Sequence, residues 1–133
     1  MGTVIRASIS KNNEYYISKN RYYELKHFCL QYGEWKRELS RLSWYGEKGD
    51  GRSSDVAKPV EWIAEKREMY LRNMELVEQA AIDAGSDIYA HLLKGVTQGL
   101  SYGHLRAEGL LCSRDYYYRQ YRRFFWQLSK TRR

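Results

Sequence analysis

The chain predicts an all-α fold: a helical hairpin, about 20–42 and 59–84, followed by a C-terminal helix-turn-helix bundle, about 87–130. Three observations carry that prediction. Apolar residues recur at steps of three and four through most of the chain, the spacing of one helix face. The single proline, Pro59, stands at a helix start, and Gly85, Gly99 and Gly109 stand where periodic segments end. Only Val4–Ser10 alternates as a strand would, and weakly, so residues 1–18 read as a flexible arm rather than a strand.

Each element has its own signal. Ser18 or Asn20 caps a first helix over 20–42, whose apolar face is Tyr22, Leu25, Cys29, Tyr32, Trp35, Leu39 and Leu42. Residues 43–58 are rich in glycine and serine and predict a loop. Pro59 suits the first helical position of a second, longer helix over 59–84, with Lys58 or an upstream Ser or Asp near the cap. Its seam is Val60, Ile63, Arg67, Tyr70, Met74, Val77 and Ala81, which packs on another helix of this chain or of a second copy. Asp87 opens a third helix, about 87–97, with Ile88, Tyr89, Leu92, Leu93 and Val96 inward. Ser101 caps a short helix, about 101–108, that packs through Tyr102 and Leu105, and Ser113 caps the last one. The organisation is then an arm (1–18), a hairpin (19–84) and a helix-turn-helix region (85–133).

Length suits one modest domain. Cys29 and Cys112 are too few and too far apart for a secreted disulfide framework, so both read as reduced thiols of a cytosolic protein. The opening MetGlyThrValIleArg lacks the apolar run of a signal peptide, and no segment approaches the ~20 apolar residues of a membrane span.

Charge is where the sequence turns specific. Of 23 Lys and Arg, seven lie between Arg114 and Arg133 beside one acid, Asp115, a balance of +6 in a chain whose total is +7. A pI near 9.4 calls for a polyanionic partner, and the excess sits on one helix behind a turn. A helix-turn-helix needs a supporting helix, a tight turn and a second helix whose first residues reach base edges. Here 101–108 supports, Gly109 turns, Leu110 and Leu111 plug the turn into the core, and Ser113 starts the reading helix. With Tyr117, Tyr121, Phe124, Phe125 and Leu128 inward, Arg114, Asp115, Tyr118, Arg119 and Arg122 face outward. An arginine forks onto guanine or holds a phosphate, a tyrosine hydroxyl holds a phosphate, and an early acid accepts from cytosine. Ser113 brings a backbone amide to phosphate. Arg123, Lys130, Arg132 and Arg133 lie farther along, at the height of the backbone.

Three stretches carry a family resemblance: Glu65–Ala80, then GlyLeuSerTyrGlyHisLeu at 99–105, then CysSerArgAspTyrTyrTyrArgGlnTyr onward from Cys112 to Leu128. Residues 57–132 resemble the ArpU/RinA-type late transcriptional regulators of Gram-positive phages and prophages, and the helix-turn-helix of sigma-factor region 4. This chain has Leu111 where the family often has proline, and Gly103 and His104 where sigma-like support helices carry acids. The resemblance implies promoter-region duplex DNA as ligand, transcription activation, and RNA polymerase as a further partner in the bacterial cytoplasm.

Catalytic chemistry finds little footing. His27, His91 and His104 are scattered, no zinc spacing or phosphate-binding glycine loop occurs, and the glutamates of 59–84 interleave with Lys66, Arg67 and Arg72 as a solvated face. The expectation is therefore a non-enzyme without cofactor or metal, dimeric if the 59–84 seam meets its own copy. Two other classes fit the same residues: a phage protein-binding module or inhibitor of a host nucleic-acid enzyme, and a small-terminase-like DNA-packaging protein.

Overall fold

The computed structural model of the chain describes residues 13–48 and 59–133, and among them every regular element is helical. α1 spans Lys19–Leu30, α2 Tyr32–Lys48, α3 Val60–Gly85, α4 Tyr89–Gln98, α5 Tyr102–Ala107 and α6 Arg114–Thr131, with a 3-10 turn at Ser86–Ile88 leading into α4. Val4–Ser10 and positions 49–58 of the expected loop lie outside the described residues.

The expected first helix, 20–42, is two helices. Ser18 caps the first by accepting from the Arg21 amide at 3.2 Å. That helix closes at Gln31, whose N–H reaches the carbonyls of Phe28 and Cys29 instead of holding the helical four-residue step. The cause lies in the spacing. Cys29, Tyr32 and Trp35 follow two successive steps of three, which rotate the apolar stripe by about 120° on a continuous helix. Breaking at Gln31 lets Tyr22, Leu25, Phe28 and Cys29 enter the bundle core and still brings Trp35 of α2 into the same core, with its ring 4.9 Å from that of Phe28. α2 packs mainly on α3. It runs on to Lys48, so positions 43–48, expected in a loop, are helical.

Pro59 stands one position earlier than expected, as the N-cap of α3, and its carbonyl accepts from the Ile63 amide at 3.1 Å. The predicted seam enters the fold only at its C-terminal end. Val77 and Ala81 are buried, Tyr70 and Met74 half-buried, and Val60 and Arg67 exposed. Ala80, Ala81 and Ala84 are small enough to bring α3 close to α6, the most extensive helix pair in the molecule.

Gly85 is the last residue of α3, with Ser86 as its C-cap. α4 ends at Gly99, whose φ of +68° is a left-handed conformation that glycine adopts without a Cβ clash. The amides of Gly99 and Leu100 both return to the carbonyl of Gly95. Gly95 itself lies mid-helix for a packing reason. A Cβ there would fall against the Tyr117 hydroxyl and within 3.0 Å of Leu105 Cδ1. Its bare backbone lets α4 approach α5 and α6.

Residues 13–18 are held, contrary to their place in a flexible arm. Asn13 Oδ1 accepts from the Tyr15 amide at 2.7 Å, the Tyr15 ring lies 5.4 Å from Trp126 of α6, and Ile17 packs against the core. One core cluster joins residues of α1 through α6.

Candidate nucleic-acid interface

The turn between α5 and α6 is built by hydrogen bonds that leave it few alternatives. Ser101 caps α5, accepting from the His104 amide at 3.1 Å, and Ser113 caps α6, accepting from the Tyr116 amide at 3.1 Å. Gly109 turns the chain at φ +110°, and the Leu110 amide bonds back to the Leu105 carbonyl at 3.0 Å. The Tyr102 hydroxyl donates to the Cys112 carbonyl at 2.6 Å, and the Tyr118 hydroxyl accepts from the Tyr102 amide at 3.2 Å. Tyrosine thus supplies the turn with apolar area and with a polar tip that satisfies backbone groups.

Two expectations for this turn are corrected. Leu110 plugs the core at 2% exposure, but Leu111 is 96% exposed. Successive side chains of a non-helical stretch point to opposite sides, so burying Leu110 sends Leu111 outward. Tyr118, placed outward by the periodicity, is half-buried, packed on Tyr117 and Tyr121, with its hydroxyl engaged by α5. It fastens α6 to its support, and its hydroxyl, accepting from the Tyr102 amide, keeps its own proton to donate.

The remaining predicted site residues divide by exposure. Ser113, Arg114, Asp115 and Arg119 are exposed over the first turns of α6, and Lys130 is exposed near its end. Asp115 sits in the first turn, where the helix dipole favours an anion. Arg114 lies 5.1 Å from the Tyr118 ring centroid, which orients its guanidinium along the helix start. Arg122 and Arg123 are half-buried, so Arg122 departs from the outward position expected of it. The Arg122 Nε is buried without a hydrogen-bond partner. Lys130 stands 3.9 Å above the Trp126 ring, the ring on which Tyr15 packs.

Among the described residues each of α1 to α5 contributes a basic side chain to an ion pair, though others on them, such as Lys36 and Arg106, make none. Ion pairs join Arg21 to Glu24, Arg41 to Glu38, Arg72 to Glu68, and Lys94 and His104 to Glu108. Among the described residues no ion pair involves a cation of α6. The opposite end of α6 is closed from another helix. Arg21 of α1 donates through Nε to Ser129 Oγ at 3.0 Å and through Nη2 to the carbonyls of Ser129, at 3.1 Å, and Arg132. A cation on the last carbonyls satisfies them and suits the negative end of the dipole.

The groups weighed for other chemistry are occupied. His104 Nε2 lies 2.9 Å from Glu108 Oε2, and burial pushes the Cys112 thiol above its ordinary range. Lys94, bonded at 2.6 Å, is the largest cause holding the Glu108 carboxyl below the usual carboxylate range, with His104 adding to it. The Cys29 thiol is buried and pushed up by its apolar surroundings. No group of three or more His, Cys, Asp or Glu converges as metal ligands among the described residues. No helix among them is long and apolar enough to cross a membrane.

Sequence reasoning missed Gly95, the Arg21 cap and the Tyr15–Trp126 contact. Only Gly95 had a signal, as a glycine inside an otherwise periodic helix. The other two join residues about a hundred positions apart. Comparison with known protein families, with curated proteins and with solved structures finds no match to the chain.

Proposed function

We propose that the protein binds duplex DNA with the first turns of α6 in the major groove. On this reading it is a non-enzymatic transcriptional regulator of the phage and prophage kind that its C-terminal half resembles, acting in the bacterial cytoplasm with RNA polymerase as a further partner. One observation carries the reading: a doubly capped turn presents a helix whose cations have no ion-pair partner among the described residues. A face of this kind lowers its own electrostatic energy when phosphates arrive and release their counterions.

The roles follow from position. Arg114 at the helix start and Arg119, one turn beyond Asp115, reach base edges; Asp115 accepts from a cytosine amine; Ser113 brings the helix-start amides to a phosphate. Arg122, Arg123 and Lys130 meet the backbone along the groove wall. Leu111, two positions ahead of the cap and free of the core, supplies an apolar contact at the same edge.

Selection from a random duplex library, followed by titration at several salt concentrations, tests this. One enriched motif and a steep loss of affinity with salt are expected. Arg119→Ala should cost about 1–3 kcal/mol and relax preference at one position, while Arg133→Ala should weaken all duplexes alike. If no duplex binds above background at low salt, the reading fails. A pulldown that then returns a host nuclease would favour the inhibitor class, and a many-membered ring in solution would favour DNA packaging.

A further inference from the structure

The long helix α3 is served by the core for only part of its length. None of its residues before Val77 is fully buried, and its fully buried positions lie between Val77 and Gly85. α2 packs on α3. The forward half of α3 carries a continuous stripe at helical spacing that lines one shallow groove: Val60, Ile63, Ala64, Arg67, Glu68, Leu71, Arg72 and Glu75. Val60 is 79% exposed and Leu71 49%. Among the described residues nothing covers Val60, Ala64 and Leu71, and an exposed stripe of apolar and charged residues at helical spacing is the kind of face that packs on another helix.

The charges on the stripe identify what completes it. Arg67, Glu68, Arg72 and Glu75 alternate in sign, so a uniformly acidic or basic partner meets a like charge wherever it meets an opposite one. An antiparallel copy of the same stripe does not. With a two-fold axis between Arg67 and Glu68, Arg67 lies against the partner's Glu68 and Glu68 against the partner's Arg67. The same axis sets Ala64 against the partner's Leu71, a small residue facing a large one. It sets Ile63 against the aliphatic stem of the partner's Arg72, and Val60 against that of the partner's Glu75. Every member of the stripe finds a compatible mate under one operation, as an isologous interface requires.

We infer that the forward half of α3 is a homodimer interface, an antiparallel pairing of two copies about the Arg67–Glu68 step. The inference is independent of DNA, because the interface lies on the projecting end of α3 and involves no residue of α6.

Sedimentation equilibrium of the full chain without nucleic acid tests it. The expected mass is twice the 15.9 kDa of one chain, falling to one chain on dilution. Leu71→Glu should give a monomer with unchanged helical circular dichroism, since Leu71 is outside the core. Arg67→Glu, which sets two acids face to face, should raise the dimer dissociation constant at least tenfold. Arg67→Glu combined with Glu68→Arg exchanges both members of the pair and should restore association. A wild-type chain that stays monomeric at high concentration overturns the inference. So does a dimer indifferent to Leu71→Glu, a failure of the double exchange to rescue, or a ring of more than two copies.

Discussion

The forward half of α3 and the whole of α6 are both long, amphipathic and heavily charged, yet each lacks what the other has. α3 carries six acids against three cations over 26 residues, a mixed-sign and net acidic helix in which Arg72 pairs with Glu68. What it lacks is apolar cover along Val60, Ile63, Ala64 and Leu71. α6 carries five cations against one acid over 18 residues, and its apolar face is buried from Tyr117 to Leu128. What it lacks is countercharge. Surface ion pairs contribute little to stability, so the contrast is a poor guide to what holds the fold together. It bears instead on the two proposals above, in which the apolar stripe meets a protein and the cationic face a polyanion.

The comparison breaks first at the core. Phe124→Ala, at a fully buried site of α6, is expected to cost about 3–5 kcal/mol, read by urea unfolding. The equivalent truncation Val60→Ala should move the unfolding of the diluted monomer by no more than about 0.5 kcal/mol, because Val60 is already in water. Comparable losses at both sites would mean that α3 is not free along its forward half.

Gly95→Ala is the next largest, at about 1–3 kcal/mol, because the new methyl presses on the Tyr117 hydroxyl and moves α6 against its support. A neutral result, or the small gain that alanine brings to a free helix, would show that the α4–α6 approach is looser than described. Tyr117→Phe has the opposite sign. The Tyr117 hydroxyl is buried without a partner, and removing it should raise stability by about 1 kcal/mol. A loss on that substitution would reveal a hydrogen bond that the geometry does not show.

Charge gives the smallest effect on folding and the sharpest test of the contrast. Arg119→Ala should leave the melting temperature where it is while lowering duplex affinity, since Arg119 is exposed and makes no ion pair among the described residues. Glu108 is different because it joins α4 to the end of α5 through Lys94. Lys94, then His104, lowers its folded pKa, so its contribution is complete above the ordinary carboxylate range and fades as pH falls through the lowered value. Melting curves of wild type and Glu108→Gln should therefore converge in acid and separate toward neutral pH. Curves that stay parallel would remove Glu108 from the account of the turn.

Much of the candidate site was legible because it is written locally. Ser101 and Ser113 cap the helices they were expected to cap, Gly99 and Gly109 take positive φ, and Tyr117, Phe124, Phe125 and Leu128 are buried as their spacing implies. The break at Gln31 was latent in the two successive three-residue steps of Cys29, Tyr32 and Trp35, which a continuous stripe does not tolerate. Leu111 and Tyr118 were misplaced for another reason. Each lies at a position where the local pattern fits two orientations, and a hydrogen bond outside that pattern chose between them. For Leu111 the choice came from the Leu105 carbonyl through Leu110, and for Tyr118 from the Tyr102 amide.

By itself the sequence determined the all-α class, the helix boundaries marked by serine and glycine, and the concentration of positive charge on the last helix. Those properties depend on residues within a turn or two of one another, where capping, periodicity and chain stiffness act. Only the tertiary structure decided which charges stay unpaired, which tyrosine hydroxyls are consumed in holding the turn, and how much of α3 the core reaches. Those depend on contacts such as Arg21 with Ser129 and Tyr15 with Trp126, made between segments whose order along the chain says nothing of their distance in space.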